Sequence, residues 1–309
     1  MVGYLFPGQG AQYVGMGKDI YEKFPATRWL FHKAEDVLGF DLKKVCFEGP
    51  AEELIKTENS QPAILLVSIA SKIALESVSK DELPFHPKAL AGLSLGEYSA
   101  LVCAGSISFE DAVKIVRLRG KYMEEASQIN PGKMASIIGL TETHVKEICT
   151  ESGAELANLN CPGQIVISGR IESINKSIEL ARIRGAKRAI LLDVSGPFHT
   201  SFMKGAGIKL GIELDKINIS SPQIPVVSNV TADYVREPVD IREALVRQVS
   251  CPVRWEESVR LMLRDGIKTF FEIGPGKVLK GLVRRIAPDV KVYNVGTYED
   301  IEEVRKVCC

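Results

Sequence analysis

Apolar and polar positions alternate along this chain in two rhythms. Residues 3–6 (G-Y-L-F) read as a short buried strand, closed by Pro7-Gly8-Gln9-Gly10, and a helix is expected over 12–23. Helices are expected over 29–38 and 51–57. Residues 61–78 are apolar on nearly every side, which predicts a buried helix, with Pro62 in its first turn where a missing N–H costs nothing. Residues 89–91 predict a strand and 97–104 a helix. Residues 109–127 are amphipathic, with Ala112, Val113, Val116 and Met123 facing inward.

The rhythm changes after Asn130-Pro131-Gly132. Strands are expected over 134–139, 154–159, 165–168 and 188–194, and helices over 142–152 and 171–185. Cys161-Pro162-Gly163 turns between the middle strands. This βαββαβ order is the ferredoxin-like arrangement. It predicts a small inserted domain over 131–196, with its return near Ser195-Gly196-Pro197. Past it the longer rhythm resumes: helices over 201–214, 240–249 and 255–265, and strands over 225–228, 269–273 and 291–294. Alternating strands and helices predict an α/β fold with a mainly parallel sheet covered on both faces. Residues 1–130 and 197–309 would form that large domain.

Composition narrows the picture only slightly. With 309 residues, the chain suits one large domain or one domain with an insertion. Its 39 basic and 39 acidic side chains cancel, so net charge gives no general argument for nucleic acid or a membrane surface. The start, M-V-G-Y-L-F-P-G, has no basic segment before a long apolar core, so no signal peptide is expected. The longest plainly apolar run, 63–67, is too short to span a bilayer, and a cytoplasmic protein is expected. Seven cysteines are scattered without a C-x-x-C and read as reduced thiols; with four scattered histidines they form no metal-ligand cluster.

The chemistry-bearing stretch is Gly92-Leu93-Ser94-Leu95-Gly96, a G-x-S-x-G between an expected strand and an expected helix. That context makes a nucleophile elbow, in which glycines permit a sharp turn that exposes the serine hydroxyl. A purely structural turn is the alternative. Two phosphate-binding patterns fail. From Gly8, the sixth position of G-x-G-x-x-G is Tyr13, and around Gly276-Lys277 the first position of a P-loop would be Phe271, with Val278 in place of its hydroxyl residue.

A serine nucleophile needs a base, and histidine is the usual one. His32 and His144 sit among polar or charged helical neighbours. His86 belongs to the loop entering the elbow strand. His199, in Ser195-Gly196-Pro197-Phe198-His199-Thr200, lies where the chain re-enters the large domain, on a loop stiffened by glycine and proline. His199 is the first candidate and His86 the second; a merely solvated loop histidine is the third reading. No carboxylate stands out to orient the imidazole, since Asp193 lies on a strand and points elsewhere. A backbone carbonyl could hold the Nδ1 proton instead.

Six stretches resemble one family: Phe6-Pro7-Gly8-Gln9-Gly10-Ala11-Gln12, the elbow continued through Glu97-Tyr98-Ser99, Arg117-Leu118-Arg119-Gly120, Asn158 through Gln164, Pro197-Phe198-His199-Thr200 and Glu272-Ile273-Gly274-Pro275-Gly276. In order and extent they are similar to the malonyl-CoA:acyl carrier protein transacylases. The resemblance implies an α/β-hydrolase-like core with a ferredoxin-like insertion. It implies that Ser94 is acylated, with His199 as its base and acid. The backbone N–H groups of Gln9 and Leu95 would form the oxyanion hole, and Arg119 would clamp the malonyl carboxylate. The main-chain carbonyl of Gln248 would orient His199, and Asn160 would lie at the substrate site. The implied partners are malonyl-CoA and acyl carrier protein, with no metal or redox cofactor, and a monomer is expected.

Two features depart from the family pattern. Leu93 stands where the family usually has histidine before the nucleophile, and the Cys308-Cys309 tail has no counterpart. An acidic carrier would suit a basic patch, either Arg184, Lys187 and Arg188 or Lys280, Arg284 and Arg285. Other readings remain: an acyltransferase of polyketide synthesis or malonate decarboxylation, a serine hydrolase sharing the same elbow, and an inactive scaffold that binds carrier protein.

Overall fold

The computed structural model describes residues 1–78 and 86–308. The chain opens with strand β1 (Val2–Phe6), then helices α1 (Lys18–Lys23), α2 (Arg28–Leu38), α3 (Leu42–Glu48), α4 (Ala51–Ile55) and α5 (Thr57–Val78). β2 (Pro87–Gly92), α6 (Gly96–Cys103) and α7 (Phe109–Ile129) follow. α1 begins later than the expected helix over 12–23, because Gly15 and Gly17 both take positive φ and hold the chain in turns. α5 begins earlier, so Pro62 falls inside it and not in its first turn. The carbonyl that Pro62 leaves without a helical donor, that of Glu58, takes a long bond from Arg117 Nη1 at 3.5 Å. α5 is long and apolar enough to cross a membrane, but most of it is buried inside this fold.

The chain then forms β3 (Gly132–Ile138), α8 (Glu142–Ser152), β4 (Glu155–Cys161), β5 (Gln164–Arg170), α9 (Ile171–Ile183) and β6 (Arg188–Leu191). These strands make a separate antiparallel sheet in the order β4-β5-β3-β6. β6 stops at Leu191, short of the expected 194, as an edge strand with little burial. The last part contains α10 (Lys204–Leu214), β7 (Val226–Val227), β8 (Tyr234–Val235), α11 (Pro238–Gln248), α12 (Trp255–Arg264), β9 (Thr269–Ile273), α13 (Val278–Ile286), β10 (Lys291–Val295) and α14 (Tyr298–Cys308).

The large sheet has six strands in the order β10-β9-β1-β2-β7-β8, parallel except for the short β7–β8 pair. β1, β2 and β9 are buried along nearly their whole length, as strands covered on both faces must be. Apolar side chains form one cluster under α5, α6 and α7, a second under α12 and α13, and a third inside the small sheet and its helices. The neighbouring strands β1, β2 and β7 all end at the same edge. Their following loops therefore deliver Gln9, Ser94 and Asn229 to one place, as the carboxyl ends of parallel strands do in open α/β sheets.

Candidate active site

The elbow is built by close backbone approach. A Cβ on Gly92 would lie 1.9 Å from the Gly96 carbonyl carbon, and one on Gly96 would lie 2.1 Å from the Phe6 carbonyl oxygen. Only glycine fits either position, so the chain reverses tightly from β2 into α6. Ser94 sits at the apex with φ 51°, the left-handed region that side-chain-bearing residues avoid. His199 is likewise strained at φ 60°. Two such residues meeting at one point mark a site that the surrounding structure over-determines.

They do meet. Ser94 Oγ is 2.9 Å from His199 Nε2, and His199 Nδ1 is 2.8 Å from the carbonyl oxygen of Gln248. A carbonyl only accepts, so Nδ1 carries the proton and Nε2 presents its lone pair to the serine hydroxyl. The backbone carbonyl thus takes the place of an orienting carboxylate. His199 is buried, while His32, His86 and His144 are exposed. Burial, and then the positive charge of Arg119, bring the His199 pKa down to about 4. The imidazole is therefore neutral at pH 7 and able to accept a proton.

Arg119 is the third group at the nucleophile. Its Nη2 donates to Ser94 Oγ at 2.9 Å and to Gln248 Oε1 at 2.9 Å, while Nη1 donates to Gln61 Oε1 at 2.8 Å. The guanidinium lies 5.6 Å from the centroid of the Tyr98 ring. Arg119 reaches the elbow because α7 packs tightly on α5: a Cβ on Gly120 would lie 2.5 Å from the Thr57 carbonyl oxygen. The residue is only 2% exposed, and burial lowers its pKa. Arg117 points elsewhere, bonding Asn59 Oδ1 at 2.8 Å and covering the Phe40 ring.

The pair faces a cleft of about 1080 Å³ between the two sheets. Gln9, Leu93, Ser94 and His199 line one side; Met134, Asn158 and Val166 of the small sheet line the other. Among the described residues, no protein acceptor meets the backbone N–H of Gln9 or of Leu95, which stands at the N-terminal end of α6. Leu93 packs against the second apolar cluster, so the departure at that position leaves the Ser94–His199 contact intact. Asn160 does not line the cleft. It is 9% exposed with its Oδ1 unpartnered, and Asn158 of the same strand lines the cleft instead. Gln248 contributes twice: its carbonyl meets His199, and its side chain meets Arg119.

A model of the acyl transferase domain family matches residues 3–299. A malonyl CoA-acyl carrier protein transacylase of Bacillus subtilis (strain 168) is 49% identical over 306 residues, covering 97% of this chain and 95% of the relative. This chain belongs to that transacylase family. Among solved structures, an acyl carrier protein S-malonyltransferase from Vibrio cholerae O1 biovar eltor superposes with a TM-score of 0.93 at 39% identity, over 98% of this chain and 99% of that one. A malonyl-transacylase solved in complex with its type II PKS acyl-carrier protein superposes with a TM-score of 0.94 at 40% identity, over 99% of each chain.

Three residues at this family site escaped the sequence reading: Gln61, Glu97 and Asn229. Glu97 carried a signal, because a carboxylate in the first turn behind a buried elbow cannot reach water. Asn229 follows a strand that the pattern does announce, but nothing local in the sequence marks the residue after it as a partner of Ser94.

Proposed function

We propose that this chain moves a malonyl group from malonyl-CoA to the phosphopantetheine thiol of acyl carrier protein, through a malonyl ester of Ser94, and so supplies fatty acid synthesis. The observation that carries the reading is the buried Arg119 guanidinium set 2.9 Å from the nucleophilic oxygen. In malonyl, one methylene separates the reacting carbonyl from the terminal carboxylate. A cation that recognises that carboxylate must therefore stand beside the nucleophile. A guanidinium can meet it with two parallel hydrogen bonds.

In the first half-reaction Ser94 Oγ attacks the thioester carbonyl while His199 Nε2 takes its proton. The N–H groups of Gln9 and Leu95 receive the developing oxyanion; one such donor is worth roughly 3 kcal/mol. The C–S bond then breaks, and His199 returns the proton to the departing CoA sulfur. In the second half, the carrier thiol gives its proton to His199 and attacks the ester, and Ser94 Oγ leaves as the proton comes back. No step calls on a metal or redox cofactor.

Of the two basic patches, that containing Arg184 is partly neutralised, since Arg184 pairs with Glu147 at 3.1 Å and Glu151 at 2.7 Å. Lys280, Arg284 and Arg285 on α13 form the better face for an acidic carrier. Arg285 is held by Gln164 of the small sheet, and no ion pair among the described residues engages Lys280 or Arg284. We read residues 1–130 with 197–309 as the domain that holds the reacting groups, and 131–196 as the domain that closes the cleft.

Intact mass after brief exposure to malonyl-, methylmalonyl- and acetyl-CoA tests the reading. The expected result is a single malonyl adduct that acyl carrier protein discharges much faster than water does. Release of free malonate at the same rate without carrier protein would make the chain a hydrolase.

A further inference from the structure

Beneath Ser94 lies a set of polar groups that the acyl-transfer steps do not use. Asn229 Oδ1 accepts from the Ser94 N–H at 2.6 Å, and Asn229 Nδ2 donates to the Gly92 carbonyl at 2.7 Å. Gln248 Nε2 donates to the Ser94 carbonyl at 3.0 Å. Two side-chain amides thus hold both backbone polar groups of Ser94, a residue in a conformation that L-amino acids avoid.

Both amide residues converge on one carboxylate. Glu97 Oε2 accepts from the Asn229 backbone N–H at 3.0 Å and from Gln248 Nε2 at 2.7 Å. Glu97 is only 2% exposed, on the first turn of α6 directly behind the elbow. A guanidinium donates and cannot accept. Arg119 therefore fixes which way the Gln248 amide faces: oxygen towards Arg119, nitrogen towards Glu97. Reversed, the amide would set oxygen against carboxylate and NH2 against guanidinium. A buried network of this kind specifies one geometry when every member is satisfied.

We propose that Glu97 and Asn229 are positioning residues for the reaction: with Gln248 they lock Ser94 into its left-handed conformation, with its hydroxyl between His199 and Arg119. Neither touches the reacting atoms. The inference rests on the acyl-transfer reading, and the experiment separates the two. Single-turnover malonylation is followed by intact mass at saturating malonyl-CoA, in wild type and in Glu97→Gln, Asn229→Ala and Asn229→Asp. A first-order rate constant at saturation does not depend on how much of a preparation is folded, so lost stability does not imitate lost positioning.

Displacing a reacting group by about 1 Å can cost on the order of a hundredfold, and a rate loss of that size is expected in Glu97→Gln and Asn229→Ala. Malonyl-CoA affinity, read in the same variants carrying Ser94→Ala, should change far less. Asn229→Asp keeps an oxygen for the Ser94 N–H but loses the donor to the Gly92 carbonyl, so it should stay well below the wild-type rate. Wild type that takes up no malonyl overturns the acyl-transfer reading, and this inference with it. Wild type that acylates while the variants keep pace overturns the inference alone. So do affinity losses that match the rate losses, or an Asn229→Asp variant as fast as wild type.

Discussion

The two walls of the cleft are built differently. On the large-sheet side, Ser94, His199, Arg119, Gln248, Asn229 and Glu97 hold one another through hydrogen bonds, and two residues sit in strained backbone. On the small-sheet side, Met134, Val166 and Leu192 present apolar surface, and β6 is an exposed edge. Backbone bonds help tie the walls, Leu159 N donating to Val253 O at 2.9 Å and Val253 N to Ala157 O at 2.8 Å, as do side-chain bonds such as Ser201 to Glu155. A connected polar network in a low-dielectric setting fixes geometry closely and fails sharply when one member is lost. An apolar wall is more forgiving. On the proposed function, bond-making belongs to one wall and enclosure of the acyl group to the other.

The severest test of that division lies at the reacting atoms. Ser94→Ala should abolish the acyl adduct with the fold intact, since the hydroxyl is the only attachment point; stoichiometric malonylation of this variant would move the nucleophile elsewhere. His199→Ala should slow acylation by about four orders of magnitude, as loss of the base does in related serine enzymes. His86→Ala, at an exposed position, should cost little. Steady-state rates for the two histidine variants decide between them, and reversed costs would relocate the base.

Arg119 comes next. It belongs to the reacting wall, and in the proposed reaction it meets the far end of the substrate. Arg119→Ala should lower malonyl-CoA kcat/KM by about a hundredfold or more, since removing one partner of a buried charge pair costs about 3–5 kcal/mol. Acetyl-CoA turnover should persist or rise, because a buried guanidinium without its carboxylate is what rejects acetyl in wild type. Arg119→Lys should recover only part of malonyl use. Arg117→Ala should do little, given its bonds to Asn59 and Phe40. A malonyl-to-acetyl ratio unchanged in Arg119→Ala would remove the clamp from this residue.

The walls also differ in how much of them can be read from the sequence. The elbow is local: a strand, two glycines and a helix within a few residues, and the structure has them. The βαββαβ rhythm is local too, and its four strands form the separate antiparallel sheet, in the order β4-β5-β3-β6. What escaped is tertiary. Asn229 reaches Ser94 across 135 residues; Gln248 was named for its carbonyl, but its side-chain bond to Ser94, across 154 residues, was not. The start of α5 was misplaced because Pro62 sits inside the helix, where a side chain from α7 serves the freed carbonyl. Asn160 was drawn to the site by its neighbours, but the cleft is lined by Asn158, two residues earlier on a bulged strand.

Two buried groups of the reacting wall titrate in opposite senses. The His199 pKa, near 4 in the fold against 6.5 unfolded, means that the unfolded chain takes up its proton first. Stability from this residue is lost as pH falls from 6.5 to 4. Burial pushes Glu97 up to about 7 from 4.5, so there the folded chain takes up its proton first. That adds stability as pH falls from 7 to 4.5. Denaturation midpoints between pH 7.5 and 5 should therefore fall more steeply on acidification in Glu97→Gln than in wild type, and less steeply in His199→Ala. Parallel curves for all three proteins would mean that neither residue keeps its buried state. In kcat/KM, which reports free enzyme, the limb belonging to His199 should appear near 4 and not near 6.5.

The smallest effects are expected at the mouth of the cleft, where each wall supplies one lysine outside any ion pair among the described residues. Lys121 comes from α7 and Lys133 from the start of β3. Both line the cleft, and no ion pair among the described residues engages either. Lys56 lines it too, but Glu53 holds its ammonium at 2.6 Å. On the proposed reaction, CoA and carrier-bound phosphopantetheine would both bring phosphate past this mouth on the way to Ser94. A solvent-exposed ammonium near a phosphate is screened by water and salt, so each lysine should matter by a few-fold at most, about 1 kcal/mol or less. Lys121→Ala and Lys133→Ala should raise the KM for malonyl-CoA and for carrier protein modestly, leave kcat unchanged, and converge on wild type at high salt. Lys56→Ala should change neither KM. The double variant is the sharper measurement. If the lysines act separately across the gap, their effects add; if they grip one phosphate from both sides, the second loss costs less than the first. A fall in kcat, or a KM shift that salt does not erase, would mean that the mouth reaches into the reacting wall and that the two walls do not divide the work.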